Sequence, residues 1–255
     1  MAEPPVLATS PGPSIRVLAF NRPAKKNALS QALINVFLAQ LWAACQDSDV
    51  RVIIITGSRE LFSAGADINE ISALDVGGAR RTRYLADLCY GMKAVRKPMI
   101  AAVEGMACDI ILASQSSRFG LPEVTIGLIP GAGGTQRLTV AVGKFRIGKE
   151  LSKSLQAMKI ILSGKLVSAA DACLMGLVSE TFDPGTVLAN AVNLAKTIAN
   201  NSSMAVVSAK QAVLRADDLG MDQEFERSLY YDTFGSKDKA EGVDAFLEKR
   251  QAQWV

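Results

Sequence analysis

The sequence predicts an α/β fold followed by a helical C-terminal part, and three observations carry that expectation. Val52-Ile-Ile-Ile-Thr56 and Met99-Ile-Ala-Ala-Val103 are short apolar runs of the kind buried on both faces of a parallel sheet. Longer stretches with helical periodicity separate the strand candidates, the alternation that builds βαβ units. After residue 135 the strands give way to one helical segment after another.

In chain order, residues 1–13 (MAEPPVLATSPGP) are Pro-rich and expected to be a loose lead-in. Ile15-Arg-Val-Leu-Ala-Phe20 reads as a strand stopped by Asn21-Arg-Pro23. Ser30 is placed to cap a helix whose apolar face is Leu33, Phe37, Leu41 and Ala44. The run from Val52 ends at Gly57, and a helix is expected over about 78–95, ending before Lys97-Pro98 because proline disfavours helix in the residue before it. The strand from Met99 follows directly, and Ile110-Ile-Leu-Ala113 reads as another. Only Glu104 to Asp109 lie between those two, a spacing too short for a right-handed parallel crossover carrying a helix. Helical periodicity then covers 135–163, 168–176, 186–200, 203–216 and 221–232. The expected organisation is the lead-in, an α/β core over 14–165 and a helical region over 166–255.

Composition narrows the chemistry. Apolar content of 49% with 21% charge suits a globular protein with a buried core, and a net charge of +3 is too small to argue for nucleic acid or an anionic membrane. Cys45, Cys89, Cys108 and Cys173 show no C-x-x-C spacing, so neither a disulfide framework nor a zinc site is expected. The chain has no histidine, which excludes His-based triads, His metal ligands and imidazole acid–base catalysis. Proton transfer must fall to carboxylates, Tyr, Lys or Cys. No apolar stretch approaches the ~18–20 residues of a membrane span. Glu3-Pro-Pro5 resembles no signal or transit peptide, and the terminal Gln-Trp-Val is not a peroxisomal address. A soluble intracellular protein is expected, with cytoplasm and organelle matrix both open.

Two segments could carry chemistry. Leu61-Phe-Ser-Ala-Gly-Ala-Asp-Ile-Asn-Glu70 follows a buried strand, and its small residues let backbone N–H groups approach a ligand. Taken alone, the segment is better read as a loop leading into a helix capped by Asp67. Glu123 lies in an apolar, Gly-rich stretch, where desolvation suits a carboxyl to acid–base work. Taken alone, it too has a plainer reading, a first-turn carboxylate after Pro122. Gly131 to Gly134 lacks the strand-then-Lys context of a phosphate-binding loop.

Together the motifs resemble those of the crotonase (enoyl-CoA hydratase/isomerase) superfamily. They are Asn21-Arg-Pro23 with Asn27-Ala-Leu29, Phe62-Ser-Ala-Gly-Ala-Asp67, Ile100-Ala-Ala-Val-Glu-Gly105, and Pro122-Glu123 through Ile129-Pro-Gly-Ala-Gly-Gly-Thr-Gln-Arg-Leu138. Ala172 to Val178 and Glu241 to Arg250 continue the match, so it spans nearly the whole chain, and it is most similar to short-chain enoyl-CoA hydratases. The resemblance implies a spiral of βαβ units and a CoA thioester substrate, with no further cofactor and no metal. It implies hydration of 2-trans-enoyl-CoA to 3-hydroxyacyl-CoA in fatty-acid or branched-chain degradation. It makes the Ala66 N–H an oxyanion donor and Glu123 the group that moves a proton at the α-carbon. Ala64, Gly65, Ala66, Asp67 and Ile68 would line the adenine and pantetheine, with Gly131 also at the CoA site. Asn69 stands where many relatives have Lys. Phe246 and Lys249 would close the CoA site, often across the interface of a homotrimer or dimer of trimers, against the plainer reading of an apolar anchor and a solvated lysine. RNA binding, known in some relatives, is not expected: Lys144, Arg146, Lys149, Lys153, Lys159 and Lys165 read as a solvated face.

Two departures qualify the resemblance. Where the family reads G-x-A-L-G-G-G-x-E-L-A-L-A-C-D-I, this chain reads Gly105-Met-Ala-Cys-Asp-Ile110. The family's second oxyanion glycine, its other hydratase glutamate and the helix joining the two strands have no counterpart. Phe145 to Lys153 stands as an insertion. Beside hydration, these departures leave open a single-glutamate enoyl-CoA isomerase and a catalytically weak CoA-binding pseudoenzyme.

Overall fold

The hydrophobic runs form strands at nearly the positions their periodicity predicts. The computed structural model describes residues 3–58, 61–102, 108–142, 156–219 and 222–254. Strand β1 (Val6–Gly12) pairs antiparallel with β2 (Ile15–Phe20), and β3 (Val52–Thr56), β4 (Met99–Ala102) and β5 (Ile110–Ser114) follow in parallel. A separate antiparallel pair joins β6 (Arg118–Phe119) to β7 (Val167–Ser168), and β8 (Glu180–Phe182) completes the main sheet beside β5. The six-stranded order is β1-β2-β3-β4-β5-β8.

Helices cover both faces. In chain order they are α1 (Gln31–Gln46), α2 (Ile68–Ser72), α3 (Val76–Thr82), α4 (Ala86–Lys93), α5 (Gly134–Val142) and α6 (Gln156–Ser163). Then come α7 (Ala169–Leu174), α8 (Val187–Ala199), α9 (Ser203–Leu219), α10 (Gln223–Phe234) and α11 (Lys237–Glu248). The two-residue period of β3 sends Ile53 and Ile55 into a cluster with Leu33, Phe37 and Leu41 of α1 and Met92 of α4. Val52 and Ile54 face the other way, where Ala191, Ala195 and Ala199 of α8 present a small-residue face to the sheet. A third cluster joins Ile111 and Ala113 of β5 to Leu138, Ile160 and Ala172. Among the described residues no helix is long and apolar enough to cross a membrane.

Three expectations are corrected, and a fourth is described only in part. The lead-in contains β1 rather than a loose segment, because an edge strand tolerates the missing donor of Pro11 and needs only β2 as partner. The single helix expected over 78–95 is two, α3 and α4. Arg83 and Leu85 between them adopt left-handed backbone (φ 50° and 64°), which periodicity does not reveal. The expected 135–163 helix is described as α5 and α6, with 143–155 outside the described residues, and so the 145–153 insertion lies outside them too. Most consequentially, β4 and β5 are parallel neighbours despite their spacing, with Ile100 opposite Ile110 and Ala102 opposite Leu112. The end of β4 and the start of β5 are offset by only two register positions, ~7 Å along the strands and ~5 Å across, the span between them falling to residues 103–109. Of these, 103–107 lie outside the described residues.

Lys210 of α9 fastens this junction. Its Nζ donates to the carbonyls of Val95 (2.9 Å) and Lys97 (2.8 Å) and pairs with Asp109 Oδ2 at 2.8 Å. The same carboxylate oxygen accepts from the Met99 N–H at 2.7 Å, so the starts of β4 and β5 are tied together through one buried lysine.

Candidate active site

The loop after β3 is built on two motifs that read as mere punctuation in the sequence. Asn27, 1% exposed, accepts from the Arg22 N–H at 2.7 Å and donates through Nδ2 to the Leu61 carbonyl at 3.2 Å. Ser63 Oγ donates to the Asn27 carbonyl, and the Ala64 N–H donates to the Lys26 carbonyl. Arg22 Nη1 donates to the Ala28 carbonyl and Ser30 Oγ and reaches Asp67 Oδ2 at 3.4 Å. Gly57 makes the turn possible: a Cβ there would lie 2.4 Å from the Phe62 Cα.

These contacts fix one backbone group with particular consequence. Leu29 and Ala66 form a parallel bridge in which the Leu29 N–H donates to the Gly65 carbonyl and the Leu29 carbonyl accepts from the Asp67 N–H. In that geometry the bridge uses the groups on either side of Ala66 and turns the Ala66 N–H away from it. Gly65 reaches this position at φ 87°. Asp67 caps α2 by accepting from the Asn69 N–H, as the plainer reading of the segment holds, so its buried side chain is committed to the scaffold. Glu70 accepts from the Gln31 N–H at the start of α1. Ala64, Gly65 and Ile68 are exposed beside them.

Glu123 stands on a separate segment. It lies in a 3-10 turn, Pro122–Ile126, that ends at Gly127 with φ 78°. The turn rests on the end of α6: a Cβ on Gly164 would stand 2.7 Å from Thr125 Cγ2. The Glu123 carbonyl accepts from the Leu128 N–H, while its Oε2 is buried with no hydrogen-bond partner among the described residues. Gly131 follows, exposed, with Leu85 Cδ1 3.8 Å from where its Cβ would be. Phe62 and Cys108 pack against both flanking hydrophobic clusters, and burial pushes the Cys108 thiol up to about 12, leaving it a neutral apolar filler.

A family model described as Enoyl-CoA hydratase/isomerase matches residues 12–255. The chain belongs to the enoyl-CoA hydratase/isomerase family. An Escherichia coli relative named 2,3-dehydroadipyl-CoA hydratase is 39% identical, covering 92% of this chain and 93% of its own length. The mitochondrial enoyl-CoA hydratase of Pongo abelii is 37% identical, covering 94% of this chain and 83% of its own. A crystal structure of an enoyl-CoA hydratase subunit from Geobacillus kaustophilus superposes with a TM-score of 0.88 at 34% identity, covering 98% of each chain.

Within this family fold, Ala64 to Ile68 form one continuous strip, and the Gly131 turn joins the Glu123 segment to the Leu85 side of the chain. Phe246 and Lys249 belong to another layer. Their helix, α11, packs on α10; Phe246 is 82% exposed, and Lys249 ends the helix in left-handed conformation. Of the basic stretch, Lys159 and Lys165 are exposed, and Lys144 to Lys153 lie outside the described residues. Sequence reasoning missed the supporting roles of Arg22 and Asn27, although Asn within a turn between strand and helix is itself a signal for left-handed backbone (φ 51° here).

Proposed function

We propose that this chain hydrates 2-trans-enoyl-CoA thioesters to 3-hydroxyacyl-CoA. The water oxygen bonds to C3 and the C2–C3 π electrons move toward the thioester oxygen, where the Ala66 N–H receives the developing charge. Glu123 delivers a proton to C2 as the enolate collapses, and the proton released by the water restores the carboxyl. The observation that carries this reading is the buried Glu123 Oε2 without a partner, a carboxylate oxygen left available within a family fold. The hydratase names of the relatives support it.

The departure at Gly105 to Ile110 supports a slower enzyme than the family norm, since one missing oxyanion donor typically costs ~10²–10³ in rate. It also supports a second reading, isomerisation of 3-enoyl-CoA to 2-enoyl-CoA. One carboxylate can remove a proton at one carbon and return it at another, and Glu123 is the one carboxylate with a buried unpaired oxygen among the described residues. A trimeric assembly is part of the proposal, supported by the exposed Tyr230, Phe234, Phe246 and Leu247 on α10 and α11. Assays with crotonyl-CoA and a 3-enoyl-CoA decide between the activities. Hydration of crotonyl-CoA is the expected result; acyl-CoA binding with no turnover of either substrate would establish the pseudoenzyme instead.

A further inference from the structure

Helix α11 packs on α10, yet little apolar burial attaches it to the chain. Of its 12 residues only Ala245 is buried, and Val243, Phe246 and Leu247 are exposed. A helix of this length is marginal alone in water, so other contacts must hold it where it lies.

Polar contacts supply that attachment, and they converge on one place. Lys249 ends α11 in left-handed backbone (φ 54°) and turns the chain back along the helix. The Glu241 carboxylate gathers the returning segment. Arg250 Nη1 and Nη2 donate to its two oxygens at 2.6 and 3.0 Å, and the Gln253 N–H donates to Oε1 at 2.7 Å. A bidentate Arg–carboxylate pair fixes direction as well as distance. One residue further on, the Trp254 indole lies on Gly242, where a Cβ would stand 3.1 Å from Cζ3 and Cη2. Glycine weakens a helix interior, and here its bare backbone seats a ring. From that seat Trp254 Nε1 donates to the Asn200 carbonyl at 2.5 Å, at the C-terminal end of α8, where a helix leaves carbonyls without partners of its own. At the start of α11, Asp238 Oδ2 accepts from Ser202 Oγ at 2.6 Å, and the same hydroxyl oxygen accepts from the Ala205 N–H in the first turn of α9. Both ties therefore meet at residues 200–202, the turn between α9 and the α8 helix that lies on the sheet through Ala191, Ala195 and Ala199.

We propose that residues 250–254 are an intramolecular strap that fixes α11 against the α8–α9 turn, and that assembly of the chain depends on this strap. The second half rests on the trimer of the proposed function, two of whose supporting residues, Phe246 and Leu247, stand on α11. A face held in place before contact avoids the ordering cost of a mobile one on association.

Trp254→Ala removes the ring and the Asn200 bond and leaves the α/β core untouched. Hydrogen exchange in α11 is expected to speed up by about tenfold, with β3 unchanged. Trp254→Phe, which keeps a ring on Gly242 but loses the donor, should give a smaller increase. Glu241→Ala opens the strap without touching the indole and should repeat the Trp254→Ala pattern, which guards against one variant failing to fold. In sedimentation, the concentration at which the Trp254→Ala oligomer half-dissociates should rise by about tenfold over the parent. Equal α11 exchange in the parent and both alanine variants overturns the strap. Faster exchange with unchanged assembly overturns its role in assembly. A parent protein that is monomeric throughout overturns the proposed trimer and that role with it, while the exchange comparison still decides the strap.

Discussion

The two halves of the site use their polar groups in opposite ways. The Ala66 half is a polar lattice in which Arg22, Asn27, Ser63 and Asp67 position one backbone N–H. The Glu123 half is a 3-10 turn set against the end of α6, with one buried carboxylate oxygen that has no hydrogen-bond partner among the described residues. The difference follows from what each half must hold. A backbone donor has no side-chain freedom, so its aim depends on fixing the chain with redundant hydrogen bonds. A proton-transferring carboxyl must keep an oxygen available, and in Glu123 one oxygen is left without a partner among the described residues.

That contrast predicts where each half breaks. The largest stability effect is expected from Asn27→Ala, which strands the Arg22 N–H, removes one of the donors to the Leu61 carbonyl and places alanine at φ 51°. A loss of about 3 kcal/mol in chemical denaturation is expected, together with loss of turnover as the Ala66 strip loosens. A stability unchanged by this substitution would show that the lattice is not what fixes the strip.

Lys210→Met should cost somewhat less, about 2–3 kcal/mol, by releasing the Val95 and Lys97 carbonyls and leaving Asp109 without its cation. Here hydrogen exchange is the sharper measurement: protection should drop first at Met99, whose N–H bonds Asp109, rather than in β2 or β3.

Much of this architecture is legible in the sequence, for physical reasons that differ by element. The Ser30 cap and the Leu33, Phe37, Leu41 and Ala44 face define α1 because propensity, capping and periodicity agree. Strand β3 announces itself by five residues buried on both faces. Strand β1 does not, because its Pro11 argues against a strand unless it lies at an edge, and position in the sheet is a tertiary fact. The break at Arg83 and Leu85 is invisible for a similar reason: left-handed backbone at Arg and Leu has no local signature. Glu123 and Ala66 stand out through the family resemblance, whereas the hydrogen bonds of Arg22 and Asn27 that hold the Ala66 strip emerge only from the structure.

The smallest effect is a slope rather than a loss. Burial holds the Cys108 thiol near 12 in the folded protein, against an ordinary value of 9.0. Below pH 9 both states keep the proton and stability is unaffected. Above pH 9 the unfolded chain ionises first, so stability should fall by up to about 1.4 kcal/mol per pH unit until the folded pKa is reached. Cys108→Ala should flatten that slope in alkaline denaturation curves, and a slope that persists unchanged would assign the alkaline sensitivity to other groups.

The central claim is that Glu123 transfers the proton at the α-carbon. Hydration of crotonyl-CoA in deuterium oxide, followed by locating the label in the 3-hydroxybutyryl-CoA product, tests it most directly. The parent protein should place one deuterium at C2, and Glu123→Gln should slow its incorporation by about 10²–10⁴-fold while the protein remains folded. Label entering C2 at the parent rate in Glu123→Gln would contradict the account.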